Sequence, residues 1–194
     1  MRERSAALGR HVADSLSGLE IERLGAARAV ADVGSGAGFP GLPLALALPD
    51  ARVDLLESRA RSAAVIERLA HAAGAANAHA VTTRAEQWAA AAGAGAYDVV
   101  TARALATLAV VAEYAAPLLR HGGVLVAWKG ARDADEEAAG AVAAARLGLE
   151  LLDVRGVMPF PGARLRHLHV LEKVAPTPPG FPRRAGMARK RPLA

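Results

Sequence analysis

The stretch that most constrains this chain is Val30-Ala-Asp32-Val-Gly34-Ser-Gly36-Ala-Gly38-Phe39-Pro-Gly41. A short apolar run, residues 29–33, leads into it, and an apolar segment, residues 41–48, leads out. The pattern is strand, glycine-rich turn, helix. Glycines in such a turn can take positive φ and let a ligand approach the main chain closely. Gly36, Gly38 and Gly41 also satisfy the G-x-G-x-x-G dinucleotide spacing, but alone that match is weak, and Pro40 fits poorly inside such a turn. Asp32 closes the strand two residues before Gly34. There a carboxylate can pair with a ligand ammonium or simply hold the loop by accepting main-chain N–H bonds.

The alternation continues along the chain. Strands are expected at residues 53–56, 78–82, 97–102 and 124–128, and helices at 59–73, 105–119 and 133–147. Residues 89–96 read as a loop or weak helix, and His121-Gly122-Gly123 reads as the end of the 105–119 helix. Two late strands, 149–157 and 168–174, flank Pro159, Pro161 and Gly162 and should form an antiparallel hairpin. The expected fold is α/β, a mostly parallel seven-stranded sheet with helices on both faces and a C-terminal antiparallel hairpin. Three regions follow: an N-terminal helical cap (residues 1–26, with Leu8, Val12, Leu16 and Leu19 near helical spacing), the α/β domain (27–174), and a Pro/Arg-rich tail (175–194) expected to be extended.

At 194 residues one domain is expected. Aromatics are only 4%, so Ala, Leu and Val must fill the core. No apolar run approaches the ~18–20 residues of a membrane span, and Met1-Arg-Glu-Arg-Ser lacks the apolar segment of a signal peptide. The chain has no cysteine, which excludes disulfides, thiolate metal sites and a Cys nucleophile. A cytoplasmic monomer with no membrane partner is expected. The formal charge of +5 comes entirely from the C-terminal end, where Lys173, Arg183, Arg184, Arg189, Lys190 and Arg191 occur without an acid. Such a segment is either a solvated tail or an arm for a polyanion.

Glu57 ends the second strand, where an acid can accept hydrogen bonds from both hydroxyls of a ribose. With the glycine loop it points to a nucleoside cofactor. The Asp-x-Gly-x-Gly-x-Gly loop resembles the S-adenosylmethionine loop of Rossmann-like class I methyltransferases, and the terminal hairpin agrees. Without cysteine, the usual cytosine-C5 mechanism is excluded. After the fourth strand stands Thr101-Ala-Arg103-Ala rather than the Asn/Asp-Pro-Pro-aromatic loop of exocyclic-amine methylation. An atom that is already nucleophilic, such as guanine N7, fits better.

A wider set of motifs then comes into register: His11-x-x-Asp14-Ser15-Leu16, the loop from Asp32 to Pro43, Glu57-Ser58, Arg84-Ala85-Glu86, Thr101-Ala-Arg103-Ala, Trp128-Lys129-Gly130, and an ending that runs from Phe181 through Gly186 to Leu193. Together they resemble the bacterial 16S ribosomal RNA guanine-N7 methyltransferase family, also called glucose-inhibited division protein B. The resemblance covers nearly the whole chain. It implies methyl transfer from S-adenosylmethionine to guanine N7 in small-subunit rRNA, with RNA and not DNA as partner. It further implies that Gly34 and Phe39 contact the methyl donor, with Ala85 and Glu86 along its adenine; the loop residues Asp32, Gly36 and Gly38 and the acid Glu57 are expected to hold the donor as well. Arg103 would lie between donor and target base, partnered by a phosphate or by Asp14, and no general base is required. Lys129, Arg166, Arg183, Arg184, Arg189, Lys190 and Arg191 are the candidate RNA contacts. Only ten residues precede His11, where the family usually carries more, so the cap is expected to be shortened.

Plainer readings stand beside these. Glu86 could be a helix-cap partner, Lys129 could extend its amine to solvent from a buried strand, and Trp88 and Trp128 suit packing better than base stacking. His167 and His169 alternate on one strand without an evident third ligand, so no metal is expected. A small-molecule S-adenosylmethionine methyltransferase is the alternative function, and an NAD-dependent oxidoreductase a more distant one.

Overall fold

The computed structural model describes residues 2–163 and 165–194. The chain enters through α1 (Arg2–Leu16), a 3-10 turn (Ser17–Glu20) and α2 (Glu22–Gly25). It then alternates β1 (Ala29–Val33), α3 (Gly41–Ala47), β2 (Arg52–Glu57), α4 (Ala60–Ala73), β3 (Ala78–Thr82), α5 (Ala85–Ala89), β4 (Tyr97–Arg103), α6 (Leu108–Ala115), β5 (Leu119–Lys129), α7 (Ala134–Arg146), β6 (Leu149–Gly156) and β7 (His167–Lys173), and closes with α8 (Met187–Lys190).

The seven strands form one sheet in the order β3-β2-β1-β4-β5-β7-β6. The first five are parallel; β7 is antiparallel to both β5 and β6. Strand order reverses between β1 and β4, and an open α/β sheet leaves a crevice above the C-terminal strand ends at such a switch point.

Side chains alternate between two cores, as the period of two demands. Ala31, Val33, Leu56, Val100, Ala102, Leu125 and Ala127 face the side covered by α5, α6 and α7. Val30, Val53, Leu55, Val99, Val124 and Val126 face the side of α2, α3 and α4. With few aromatics, helices must approach closely. A Cβ on Gly140 would come within 2.6 Å of Leu108, so α7 lies against α6 only because that residue is glycine.

Three local expectations are corrected. The helix expected over residues 105–119 is α6 alone, and the chain is already in β5 at Leu119, which pairs with Tyr97. His121-Gly122-Gly123 therefore lies inside a strand, at its irregular start, where a Cβ on Gly123 would meet the Asp98 carbonyl at 2.9 Å. A short helix, α5, ends at Ala89, where the 89–96 segment begins. The tail is not a simple extension: it carries α8 and packs back onto α6, with Phe181 and Leu193 against the core.

Candidate active site

The glycine loop is fixed from behind. The Gly34 and Ser35 N–H groups donate to the Leu56 carbonyl at 2.9 and 3.3 Å, which ties the loop to β2. Asp32 lies fully buried under it (0% exposed). Its Oδ1 accepts from the Thr101 hydroxyl at 2.9 Å and its Oδ2 from the Gly41 N–H at 3.1 Å. Burial pushes the Asp32 pKa up to about 6, against the opposing pull of Ser35, Thr101, the Gly41 N–H and the Arg103 charge. Asp32 is thus a brace beneath the loop and not part of the cleft wall. Gly38 also faces inward: a Cβ there would strike Leu42 at 2.4 Å.

Gly34, Gly36 and Phe39 line a cleft of about 790 Å³ above the C-terminal ends of β1, β2 and β4. Gly34 and Gly36 have φ of 72° and 58°, which non-glycine residues rarely adopt. Glu57 forms the floor. One of its oxygens accepts from the Gly36 N–H at 3.1 Å, and the other from the Arg59 N–H at 2.8 Å. The Ser58 hydroxyl also reaches the oxygen that Arg59 holds, at 3.5 Å, so of the carboxylate's roughly four acceptor sites the free one lies on the oxygen facing Gly36. Ala85 and Glu86, in the first turn of α5, close the side beyond Glu57. The lining residues that the sequence does not mark for this cleft include Leu105, Tyr114 on α6, and Arg189, whose sequence reading is as an RNA contact alone. Nothing in an apolar helix marks Tyr114 as a cleft residue.

A second cavity, about 850 Å³, adjoins the first. The two share His11, Arg103, Ala104 and Leu105. The wall between them is built by long-range contacts. Trp128 Nε1 at the end of β5 donates to the Asp14 carbonyl at 2.8 Å, which seats the end of α1 over the sheet. The Ser15 and Ser17 hydroxyls bond back to the His11 and Asp14 carbonyls at 2.8 and 2.7 Å. Arg103 then donates to Asp14 Oδ2 at 2.8 Å, both side chains being 14% exposed. The Arg103 guanidinium lies 5.3 Å from the Phe39 ring centre, and the His11 ring lies 5.6 Å from it. Asp14 Oδ1 is buried without a hydrogen-bond partner, and Arg166 Nε lies 3.7 Å from it. Arg10, Phe160, Lys129 and Arg166 complete this second cavity.

The other sequence-marked cations separate. Lys129 is ion-paired with Glu136 and donates to the Ala106 carbonyl. Arg183 pairs with Glu113. Arg184, Lys190 and Arg191 are exposed. His169 contacts Glu137 at 3.1 Å while His167 contacts the Gly130 carbonyl at 2.8 Å. Among the described residues no cluster of three metal-ligating side chains is present, and no helix is long and apolar enough to cross a membrane.

A glycine loop at the sheet's switch point, an acid ending β2, and an antiparallel β7 inserted between β5 and β6 define a Rossmann-like class I methyltransferase. Two solved structures share this fold: a 16S rRNA adenine-N1 methyltransferase from Catenulisporales acidiphilia (TM-score 0.64, 19% identity, 84% of this chain and 93% of that one) and a predicted O-methyltransferase from Agrobacterium tumefaciens (TM-score 0.61, 24% identity, 86% and 81%). Residues 1–159 match the family described as GidB, rRNA small subunit methyltransferase G. The ribosomal RNA small subunit methyltransferase G of Rubrobacter xylanophilus is 45% identical over 99% of this chain and 75% of its own length. That of Chloroflexus aggregans is 41% identical over 100% and 81%. The chain belongs to the rRNA small subunit methyltransferase G family.

Proposed function

We propose that this chain transfers the methyl group of S-adenosylmethionine to N7 of a guanosine in 16S rRNA, free or within the small ribosomal subunit. The observation that carries the reading is the pair of adjoining cavities with Arg103 and His11 in their common wall. One cavity has the size and donors for a nucleoside-bearing methyl donor. The other, rimmed by Arg10, Arg166 and Phe160, suits an unstacked base and its phosphates.

The residues present fit such a donor. Gly34 and Gly36 leave the main chain open at the loop, and Glu57 keeps an acceptor site for a ribose hydroxyl. Ala85 and Glu86 border the adenine, and Phe39 covers the loop side. The donor supplies an electrophilic methyl group on a sulfonium. Guanine N7 carries an exposed lone pair and needs no base, so the protein's contribution is alignment and exclusion of water. Arg103 stands at the junction, its charge balanced by Asp14 at 2.8 Å. The cations left to meet phosphates are Arg166, Arg184, Lys190 and Arg191, while Lys129 and Arg183 are held by Glu136 and Glu113. Such contacts position RNA and weaken with salt.

The test is incubation of the purified chain with radiolabelled S-adenosylmethionine and small subunits that lack N7 methylation, followed by mapping of the label. Label on a 16S guanine N7 is expected. Label on small molecules only, or binding of NAD in place of S-adenosylmethionine, would overturn the reading.

A further inference from the structure

The C-terminal end is built into the cleft. Arg183 forks onto Glu113, Nε to Oε1 at 2.6 Å and Nη2 to Oε2 at 2.5 Å, and Glu113 is 2% exposed. Arg183 Nη2 also donates to the Arg191 carbonyl at 2.8 Å, and Arg146 Nη1 donates to the Leu193 carbonyl at 3.0 Å. Ala188 is buried against the core that holds α6. Releasing this segment would strand a buried carboxylate without its partner, a far larger cost than exposing a surface ion pair.

That anchoring delivers two groups to the cleft. The Gly186 N–H donates to Glu86 Oε1 at 2.7 Å, from a glycine with φ of 83°. Arg189 Nη2 donates to the Leu105 carbonyl at 2.8 Å, and its side chain lines the cleft with Tyr114. Leu105 itself stands in the wall shared by the two cavities. Glu86 therefore has one oxygen held by the strap and the second left to receive a ligand donor.

We propose that residues 181–193 are a strap that completes the purine end of the methyl-donor cleft: Gly186 orients the Glu86 carboxylate, and Arg189 forms the outer wall. The proposal rests on the donor reading above. A carboxylate oriented in advance loses less freedom when the exocyclic amine of adenine reaches it, and a wall across that end removes competing water. Gly186 and Arg189 are positioning residues in this scheme.

Calorimetric titration of the full chain with S-adenosylhomocysteine, and with S-inosylhomocysteine in which a carbonyl replaces the adenine amine, tests it. Gly186→Ala and Arg189→Ala are the variants, and thermal melts confirm that they fold. Gly186→Ala removes no cation, and a Cβ there meets nothing within 4 Å, so its effect is confined to the strained turn. Both variants should bind S-adenosylhomocysteine about ten-fold more weakly, as expected for a disturbed hydrogen bond to a charged group. Gly186→Ala should not lose comparable affinity for the inosine compound, which lacks the amine that Glu86 receives, whereas Arg189→Ala, which opens the wall beside either purine, should lose affinity for both. Wild-type affinity in both variants would overturn the strap, and so would equal losses for both ligands in Gly186→Ala. Wild-type protein that binds neither ligand would instead overturn the donor reading on which the strap depends.

Discussion

Asp32 separates two accounts of the glycine loop, because an acid that touches a donor's ammonium and an acid that braces the loop respond differently to Asp32→Asn. In the structure both oxygens are occupied, by Thr101 and the Gly41 N–H, and the side chain is fully buried. Its pKa is raised from 3.8 to about 6 by burial. A raised acid is more protonated in the folded chain than in the unfolded one. Its stability contribution is therefore fullest below pH 4 and falls as pH rises through 6. Between pH 4.5 and 7.5 the wild type should lose about 2 kcal/mol relative to Asp32→Asn, which carries no proton to lose. Urea unfolding of both proteins across that range gives the difference directly, since every other carboxylate cancels. Affinity of the variant for S-adenosylmethionine should stay within about three-fold of wild type, because Asn can still accept one of the two bonds while its amide faces the other donor. A pH-independent difference would refute the buried-brace account. A hundred-fold loss of affinity in a variant with intact stability would restore the direct-contact account.

Other perturbations test separate parts of the site. Gly34→Ala forces a Cβ to 2.5 Å from Leu105 Cδ1 at a φ of 72°, and calorimetry should show at least a ten-fold loss of donor affinity in a folded protein. Arg103→Ala should reduce methyl transfer to small subunits by about a hundred-fold while donor affinity falls less than ten-fold, the signature of lost alignment; unchanged transfer would remove Arg103 from the mechanism. Lys173, buried with Nζ donating to the Leu147 carbonyl at 2.7 Å, has its pKa lowered to about 8 by desolvation. The unfolded chain then holds the extra proton between pH 8 and 10.5, so wild type should gain about 2 kcal/mol on Lys173→Met from pH 7 to 10, read by urea unfolding.

The elements legible in the sequence were those with strong local signals. β1 to β4 and β7 are runs of small and branched apolar residues between turn formers, and α4 ends at Gly74 in the left-handed conformation that glycine permits. The loop and the acid after β2 carry their own chemistry. What was misread depends on partners distant in sequence. The start of β5 looks helical because Leu and Ala precede His121-Gly122-Gly123, yet pairing with Tyr97 draws it into the sheet. The tail has no periodic apolar pattern, and it is held by partners distant in sequence, among them the buried acid Glu113, set 70 positions earlier in an apolar helix. Local propensity cannot reveal an ion pair across that separation, so six cations without acids resembled a free arm.

The Arg103–Asp14 pair bears on how the two cavities cooperate. In the proposed transfer a positive charge leaves the donor's sulfur and arises on the purine, so both ends of the path disfavour an uncompensated cation between them. Arg103 is placed in that common wall, and a lone guanidinium there would oppose donor binding before transfer and the charged product after it. Asp14 at 2.8 Å makes the pair neutral overall, while the guanidinium keeps its rigid planar shape against Phe39. The carboxylate is itself held through its main chain, by Trp128 from the end of β5 and by Ser17. Its second oxygen is buried without a hydrogen bond, with Arg166 Nε 3.7 Å away. The N-terminal helix, the fourth strand and the fifth strand thus converge on one neutral pair, and in the proposed reaction the alignment of two reactants rests on contacts that span 89 and 114 positions of sequence.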